Sequence, residues 1–219
     1  MVIGWDIGGV NTKIARVVRG VAAASTARPF ELQRAPAALV PLLRELAACV
    51  GAVHPDGSFP CAATMTAELS QMFRRKADGV AFVVDALEAA FPNADVRIFS
   101  VRGDFLSPGE ARRRPLEVAA ANWAATAAIV ARRHHDALLI DIGTTTTDII
   151  PIAGGAVVAA GLTDPDRLAS GELVYTGAVR TPVEAIVHDV PLGDGVAGVS
   201  AEGFALAGDV HVWRGTLPA

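Results

Sequence analysis

Asp6, Asp141 and Asp148 stand beside turns built of glycine and short hydroxyl side chains, the residue types that hold a phosphate and its counter-ion. An apolar run, Leu138-Leu139-Ile140, meets Asp141-Ile142-Gly143, passes through Thr144, Thr145, Thr146 and Thr147, and resumes at Asp148-Ile149-Ile150. Near the N-terminus the chain reads Trp5-Asp6-Ile7-Gly8-Gly9-Val10-Asn11-Thr12-Lys13-Ile14. Aligned on the aspartates, the two segments are D-I-G-T-T-T-T-D-I and D-I-G-G-V-N-T-K-I, an internal repeat about 135 residues apart. The repeat predicts two related half-domains facing one another across a cleft.

Each copy has the chemistry of a phosphate-binding hairpin. Gly8, Gly9 and Gly143 permit a tight turn and let backbone N–H groups approach an anion without an intervening side chain. Asn11, Thr12, Thr144, Thr145 and Thr146 add short donors for phosphate oxygens. Carboxylates repel phosphate but suit a hydrated Mg²⁺ that bridges to it, since Mg²⁺ keeps several waters and uses few carboxylates. Asp6, Asp141 and Asp148 are therefore expected to hold metal, and Lys13 to act as a point charge for the phosphate. The competing reading is two unrelated hairpins with glycine-rich turns; the matched pair favours the phosphate cleft.

Composition bounds the setting. The 219 residues are 52% hydrophobic with mean hydropathy +0.39, enough apolar material for an α/β core in one large domain or two small ones. A net charge of −4 and a pI near 5.7 argue against nucleic acid or an anionic membrane as principal partner. Cys49 and Cys61 are too few for a disulfide framework and fit a reducing compartment. Asp6 interrupts the first apolar run and no uncharged stretch has membrane-spanning length, so a soluble, cytoplasmic protein is expected.

The elements that must position these residues follow from hydrophobic periodicity. Strands near 2–7, 12–18 and 21–26, turning at Arg19-Gly20, make a meander. A helix is predicted over 36–50, a loop over 51–60, and a short strand from Cys61 running out into Thr64, Thr66 and Glu68. A helix over 77–91, a strand over 95–101 and a long alanine-rich helix over 109–133 complete an RNase H-like half, residues 1–135. The second half, 136–219, repeats the hairpin, inserts an excursion over 161–191 with a short helix at 165–170 and a strand at 172–175, and ends with one helix near 200–213.

Smaller constellations carry two readings each. Thr64, Thr66 and Glu68 at the C-terminal end of a strand fit substrate or metal-water contacts, or a helix cap. Asn122 points into the cleft or into solvent. His134-His135 at a helix end complement its dipole better than they suggest a metal site. Arg180, in Gly177-Ala178-Val179-Arg180-Thr181-Pro182, is placed to clamp a phosphate or is a solvated loop residue.

The twin D-I-G-x-x-x-T hairpins resemble those of the actin, sugar-kinase and heat-shock-protein superfamily, in its hydantoinase and oxoprolinase branch. With ATMTAELSQMF, AAANW and GELVYTGAVRTPV, the chain is similar over nearly all of residues 1–215 to tetrahydromethanopterin-linked C1-transfer pathway proteins and archaeal methanofuran-biosynthesis enzymes. The resemblance implies a transferase joining the phenol oxygen of a (glutamyl)tyramine to the furanylmethyl carbon of an aminomethyl-furanmethanol diphosphate, with release of pyrophosphate. It implies that Asp6, Asp141 and Asp148 position Mg²⁺, that Lys13 and Arg180 neutralise charge, and that Glu68 takes the phenol proton. Members of the family continue past the point where this chain stops, so ATP is not expected to be required, and a homodimer is expected as one way of covering apolar surface. The alternatives are an ATP-dependent small-molecule kinase of the same fold and a regulatory subunit without turnover.

Overall fold

The computed structural model describes residues 1–52 and 57–218, which form two compact units, Met1–Ile129 and Val130–Ala219. In the first unit β1 (Val2–Ile7), β2 (Asn11–Val18) and β3 (Val21–Pro29) are an antiparallel meander, turning through Arg19 and Gly20 at positive φ. A 3-10 turn over Pro36–Ala38 leads into α1 (Leu39–Cys49). The predicted loop over 51–60 falls partly on 53–56, outside the described residues. There follow β4 (Pro60–Met65), α2 (Lys76–Ala90), β5 (Asp95–Phe99) and β6 (Phe105–Leu106). The sheet order is β3-β2-β1-β4-β5-β6, with β1, β4 and β5 parallel. This is the RNase H-like arrangement in an α/β fold.

Period-2 burial builds the core. Ile3, Trp5 and Ile7 on β1 alternate with Gly4 and Asp6, and Cys61, Ala63 and Met65 on β4 continue the same buried face. That face is covered by α1 through Leu39, Leu42, Leu43 and Leu46, and by α2 through Val80, Val83, Val84 and Leu87, the i, i+3, i+4, i+7 stripe of a half-buried helix.

The single long helix predicted over 109–133 is instead three: α3 (Pro108–Arg113), α4 (Pro115–Val118) and α5 (Asn122–Ala131). Pro115 has no N–H to donate and its ring opposes the preceding turn, so α3 stops at Arg113. Ala120, at φ 51, then reverses the chain before α5. Asn122 consequently opens a helix rather than sitting inside one.

In the second unit β7 (Ala137–Ile142) and β8 (Thr147–Ala153) form the second hairpin, extended by β9 (Ala156–Val157). Next come α6 (Asp164–Ser170), closed by Gly171 at φ 74, and β10 (Leu173–Val174), which pairs with β8 beside the hairpin. An unforeseen ribbon of β11 (Asp189–Leu192) and β12 (Gly195–Gly198) precedes α7 (Ala207–Trp213), which is shorter than the helix expected near 200–213. The sheet order is β10-β8-β7, and among the described residues no strand pairs with the outer edge of β7. No helix among the described residues is long and apolar enough to cross a membrane.

Candidate anion-binding hairpins

The two glycine turns have the same backbone construction. In the first, the Gly8 amide donates to the Asn11 carbonyl at 2.8 Å; in the second, the Gly143 amide donates to the Thr146 carbonyl at 2.8 Å. Each aspartate sits across its own hairpin from the residue seven positions on, and those two partners are aligned in the repeat: Asp6 faces Lys13, and Asp141 faces Asp148.

In both turns other parts of the chain tie down the carbonyls. Leu32 N–H donates to the Gly9 carbonyl at 3.0 Å and Phe30 N–H to that of Val10 at 2.9 Å. In the second turn, Ala178 N–H donates to the Gly143 carbonyl at 2.9 Å, and the amides of Val179 and Arg180 donate to the Thr144 carbonyl at 3.1 and 2.7 Å. Among the described residues no acceptor is recorded for the amides of Gly9, Val10, Thr144, Thr145 or Thr146. A turn in which most carbonyls are tied and several amides are open offers mainly donors, the polarity an anion requires.

Around the first hairpin, Lys13 Nζ lies 2.9 Å from Asp6 Oδ2, and the Thr64 hydroxyl donates to Asp6 Oδ1 at 3.4 Å. Thr66 N–H donates to the Ile7 carbonyl, and its hydroxyl oxygen lies 3.4 Å from where a Cβ on Gly8 would stand. A Cβ at Gly8 would also fall 2.7 Å from the Asn11 carbonyl oxygen, so the turn closes only with glycine there. Asp6, Lys13, Thr64 and Thr66 thus gather at the C-terminal ends of β1 and β4, the edge where open α/β sheets hold ligands.

Thr12 differs from its expected role. It lies on the core face of β2 with Ile14, fully buried, while Asn11 and Lys13 occupy the opposite, exposed face. Strand alternation places its hydroxyl away from the aspartate side.

Glu68 is also inside the unit. It is buried, and its Oε1 accepts the Ala120 amide at 2.8 Å. Its backbone packs so closely on α2 that a Cβ at Gly79 would fall 2.6 Å from Glu68 Cα. The structure therefore shows Glu68 bracing the end of β4 against the α4–α5 junction, where Met65 and Ala119 also bridge.

Around the second hairpin, Arg167 is the residue that sequence reasoning missed. Its guanidinium is buried, donating from Nη1 to Asp148 Oδ1 at 2.7 Å and from Nη2 to the Glu172 carbonyl at 2.9 Å. Burial raises the Asp148 pKa above the usual carboxylate range; Arg167 opposes this, and the neighbouring Asp141 and Asp164 add to it. For Glu172, burial works upward, but the amides of Ala160 and Gly161, the Ser170 hydroxyl and Arg167 prevail and hold its pKa low.

The segment after β10 crosses over the threonine turn. Thr147 donates from its hydroxyl to the Thr176 carbonyl at 2.6 Å, and the Gly177 amide donates to the Thr181 hydroxyl at 2.7 Å. A Cβ at Gly177 would lie 2.6 Å from the backbone N of Thr145. Arg180 is therefore beside the turn through its main chain, with its side chain exposed. His135 Nδ1 lies 3.1 Å from Asp136 Oδ2, both side chains exposed.

For metal, no group of three acidic, histidine or cysteine side chains comes together among the described residues. Asp141 and Asp148 share one face as cross-strand partners, and a pair of carboxylates suits a cation that retains its waters. The groove lined by Phe91, Pro92, Val96, Arg97 and Pro108 lies at the opposite, N-terminal end of β5 and takes no part in either hairpin.

Comparison with known proteins places these features in a lineage. The chain is 38% identical over 213 residues to the (4-{4-[2-(gamma-L-glutamylamino)ethyl]phenoxymethyl}furan-2-yl)methanamine synthase of Methanocaldococcus jannaschii. The match takes in 97% of this chain but 61% of that relative's length. The synthase of the same name from Methanococcus vannielii is 43% identical over 75 residues, 34% of this chain and 33% of its own.

Among solved structures, the ethanolamine utilization protein EutJ of Carboxydothermus hydrogenoformans superposes with a TM-score of 0.44 at 19% identity, covering 72% of this chain and 49% of that one. The type II variant of the Aquifex aeolicus Ppx/GppA phosphatase superposes with a TM-score of 0.45 at 12% identity, covering 84% and 54%. The hydantoinase/oxoprolinase family profile matches residues 61–210, more than half of the sequence, and the chain belongs to that family.

Proposed function

We propose that this chain serves a pyrophosphate-releasing transferase of methanofuran-type cofactor biosynthesis. The reaction forms a C–O bond between the phenol oxygen of a tyramine or glutamyltyramine and the furanylmethyl carbon of an aminomethyl-furanmethanol diphosphate. The bond from that carbon to the diphosphate oxygen breaks, its electron pair leaves with pyrophosphate, and the phenol gives up its proton. With glutamyltyramine as acceptor, the product is the compound for which the Methanocaldococcus jannaschii relative is named.

The observation that carries this reading is the pair of hairpins with tied carbonyls and open amides. As the C–O bond breaks, negative charge grows on the leaving diphosphate, and preorganised N–H donors stabilise it without reorganising. The furan ring supports positive charge on the reacting carbon, so the protein's task is to neutralise the leaving group and keep water out. Lys13, held by Asp6, and Arg180, anchored beside the threonine turn, supply positive charge on flexible side chains. Mg²⁺ held through Asp141 and Asp148 would supply further neutralisation of the diphosphate when bound. Nothing in this chemistry consumes ATP.

Glu68, braced on Ala120, is better suited to hold the sheet edge than to collect the phenol proton, whose ordinary pKa near ~10 is far from a carboxylate's. The free thiols Cys49 and Cys61 fit a reducing cytoplasm.

The test is to incubate the purified chain with the furan diphosphate and tyramine or glutamyltyramine, and to follow pyrophosphate and the ether product. Coupled appearance of both supports the proposal. A chain that binds pyrophosphate but forms no ether retains the anion hairpins and lacks the transferase; one that binds neither pyrophosphate nor the diphosphate substrate overturns both.

A further inference from the structure

The two hairpins meet the same charge problem with different residues. Asp6 and Asp148 each hold a cation through one carboxylate oxygen: Lys13 Nζ at 2.9 Å and Arg167 Nη1 at 2.7 Å. In the repeat, however, Lys13 is aligned with Asp148 itself. The second copy has an acid where the first has its cation, and its own cation arrives from α6, 19 positions after Asp148.

The threonine turn has the greater need of that charge. Asp141 is exposed beside it, with no ion pair or hydrogen bond recorded for its side chain among the described residues. Asp148 faces Asp141 across the hairpin, and Asp164 is also close enough to act on Asp148. Acids so placed repel a phosphate from the open amides of Thr144, Thr145 and Thr146. Arg167 lies buried among these groups, 1% exposed, and spans Asp148 and the Glu172 carbonyl. The bond to a carbonyl needs only a neutral donor. A full charge enclosed by protein is screened far less than one at the surface, so its field reaches the hairpin.

We propose that Arg167 is a positioning residue for the anion: by pairing with Asp148 from inside the unit, it offsets that carboxylate and lets a diphosphate settle on the threonine turn. The proposal rests on the reading of that turn as an anion site. Arg167 acts through Asp148 and does not touch the ligand. Packing and charge leave different signatures. Lost packing weakens every ligand, whereas a lost positive charge weakens an anion and strengthens a cation.

The experiment titrates the full chain with pyrophosphate in the absence of divalent ions and, separately, with Mn²⁺, at about pH 8 to keep carboxylates ionised. Urea denaturation checks that each variant is folded. Arg167→Met should bind pyrophosphate about fivefold or more weakly and Mn²⁺ about threefold or more tightly. Adding Asp148→Asn to Arg167→Met removes both charges of the pair and should bring pyrophosphate affinity back to within about threefold of the parent. Asp148→Asn alone keeps the side chain's shape and should bind pyrophosphate about threefold more tightly than the parent. That variant decides the matter should Arg167→Met fail to fold, and equal or weaker binding in it overturns the proposal. Where Arg167→Met folds, pyrophosphate affinity within about twofold of the parent, Mn²⁺ affinity that fails to rise, or a double variant no better than the single one each overturns it. Those outcomes leave the turn an anion site. A parent chain that binds no pyrophosphate overturns the anion reading and this inference together.

Discussion

Replacing Gly177 by alanine tests the construction of the second hairpin most directly. The new Cβ would stand 2.6 Å from the N and C atoms of Thr145 and 2.7 Å from Thr144 C, all backbone, where ordinary contact begins at 3.4 Å. A side chain could swing away, but main chain cannot, so the 176–181 segment must lift by about 0.8 Å. Overpacking of this kind costs about 1–3 kcal/mol, and the bonds from Ala178 and Arg180 to the turn weaken with it, each worth about 0.5–1.5 kcal/mol. An untied turn also loses its aim: misdirecting one amide from a charged ligand costs about 1.5–3 kcal/mol, roughly a 10- to 100-fold loss of affinity. Titration calorimetry with pyrophosphate reads the binding and urea denaturation reads the stability. Gly9→Ala is the matched control for stability, since a Cβ there meets nothing within 4 Å. If Gly177→Ala binds pyrophosphate within twofold of the parent and unfolds at the same urea concentration, the reasoning about a tied turn is wrong.

Four further outcomes are expected. Asp6→Asn should cut pyrophosphate release at least tenfold in the transferase assay while changing stability by less than about 1 kcal/mol, because its partner Lys13 is exposed; unchanged turnover would remove Asp6 from the site. Glu68→Ala should destabilise the first unit by about 1–3 kcal/mol by orphaning the Ala120 amide, with Glu68→Gln recovering most of the loss by chemical denaturation; equal effects of the two variants would refute the brace. Because the folded pKa of Glu172 is lowered, its ionised form stabilises the protein above the unfolded value of 4.5 and that contribution fades as pH falls through the folded value. The stability gap between parent and Glu172→Gln should therefore be widest near neutrality and close below pH 4.5, and a pH-independent gap would contradict it. Finally, burial pushes the Cys61 thiol up to about 12 while Cys49 is exposed, so iodoacetamide should label one site in the native chain and two after unfolding, by mass spectrometry.

Much of the fold was legible where its signals are local. Alternation in Val2–Ile7, the stripe of Leu39, Leu42, Leu43 and Leu46, and the Asp164-Pro165 start and Gly171 stop of α6 each lie within one element. The break at Pro115 was available in the sequence too, but the alanine-rich run around it outweighed one proline. What could not be read depended on tertiary packing. Nothing local distinguishes Arg167 from a solvated helix residue; only the fold carries it under Asp148. Glu68 looks like a reactive carboxylate at a strand end until Ala120, 52 residues later, turns its amide onto it. The face taken by Thr12 follows from where β2 begins, and a glycine turn leaves that start uncertain by a residue. The repeat itself revealed both turns, but not that their carbonyls would be tied by unrelated segments.

Those ties differ in reach. The first turn is secured by Phe30 and Leu32, the residues that follow directly from its own meander, whereas the second is secured by Ala178, Val179 and Arg180, more than thirty positions downstream. Short-range closure is entropically cheaper and faster. The N-terminal loop should therefore acquire its binding shape as soon as its meander forms, and its twin should wait for everything through Thr181. Cleavage after Gly171 would loosen the threonine turn and leave the Gly8–Asn11 turn, with its own local ties, intact.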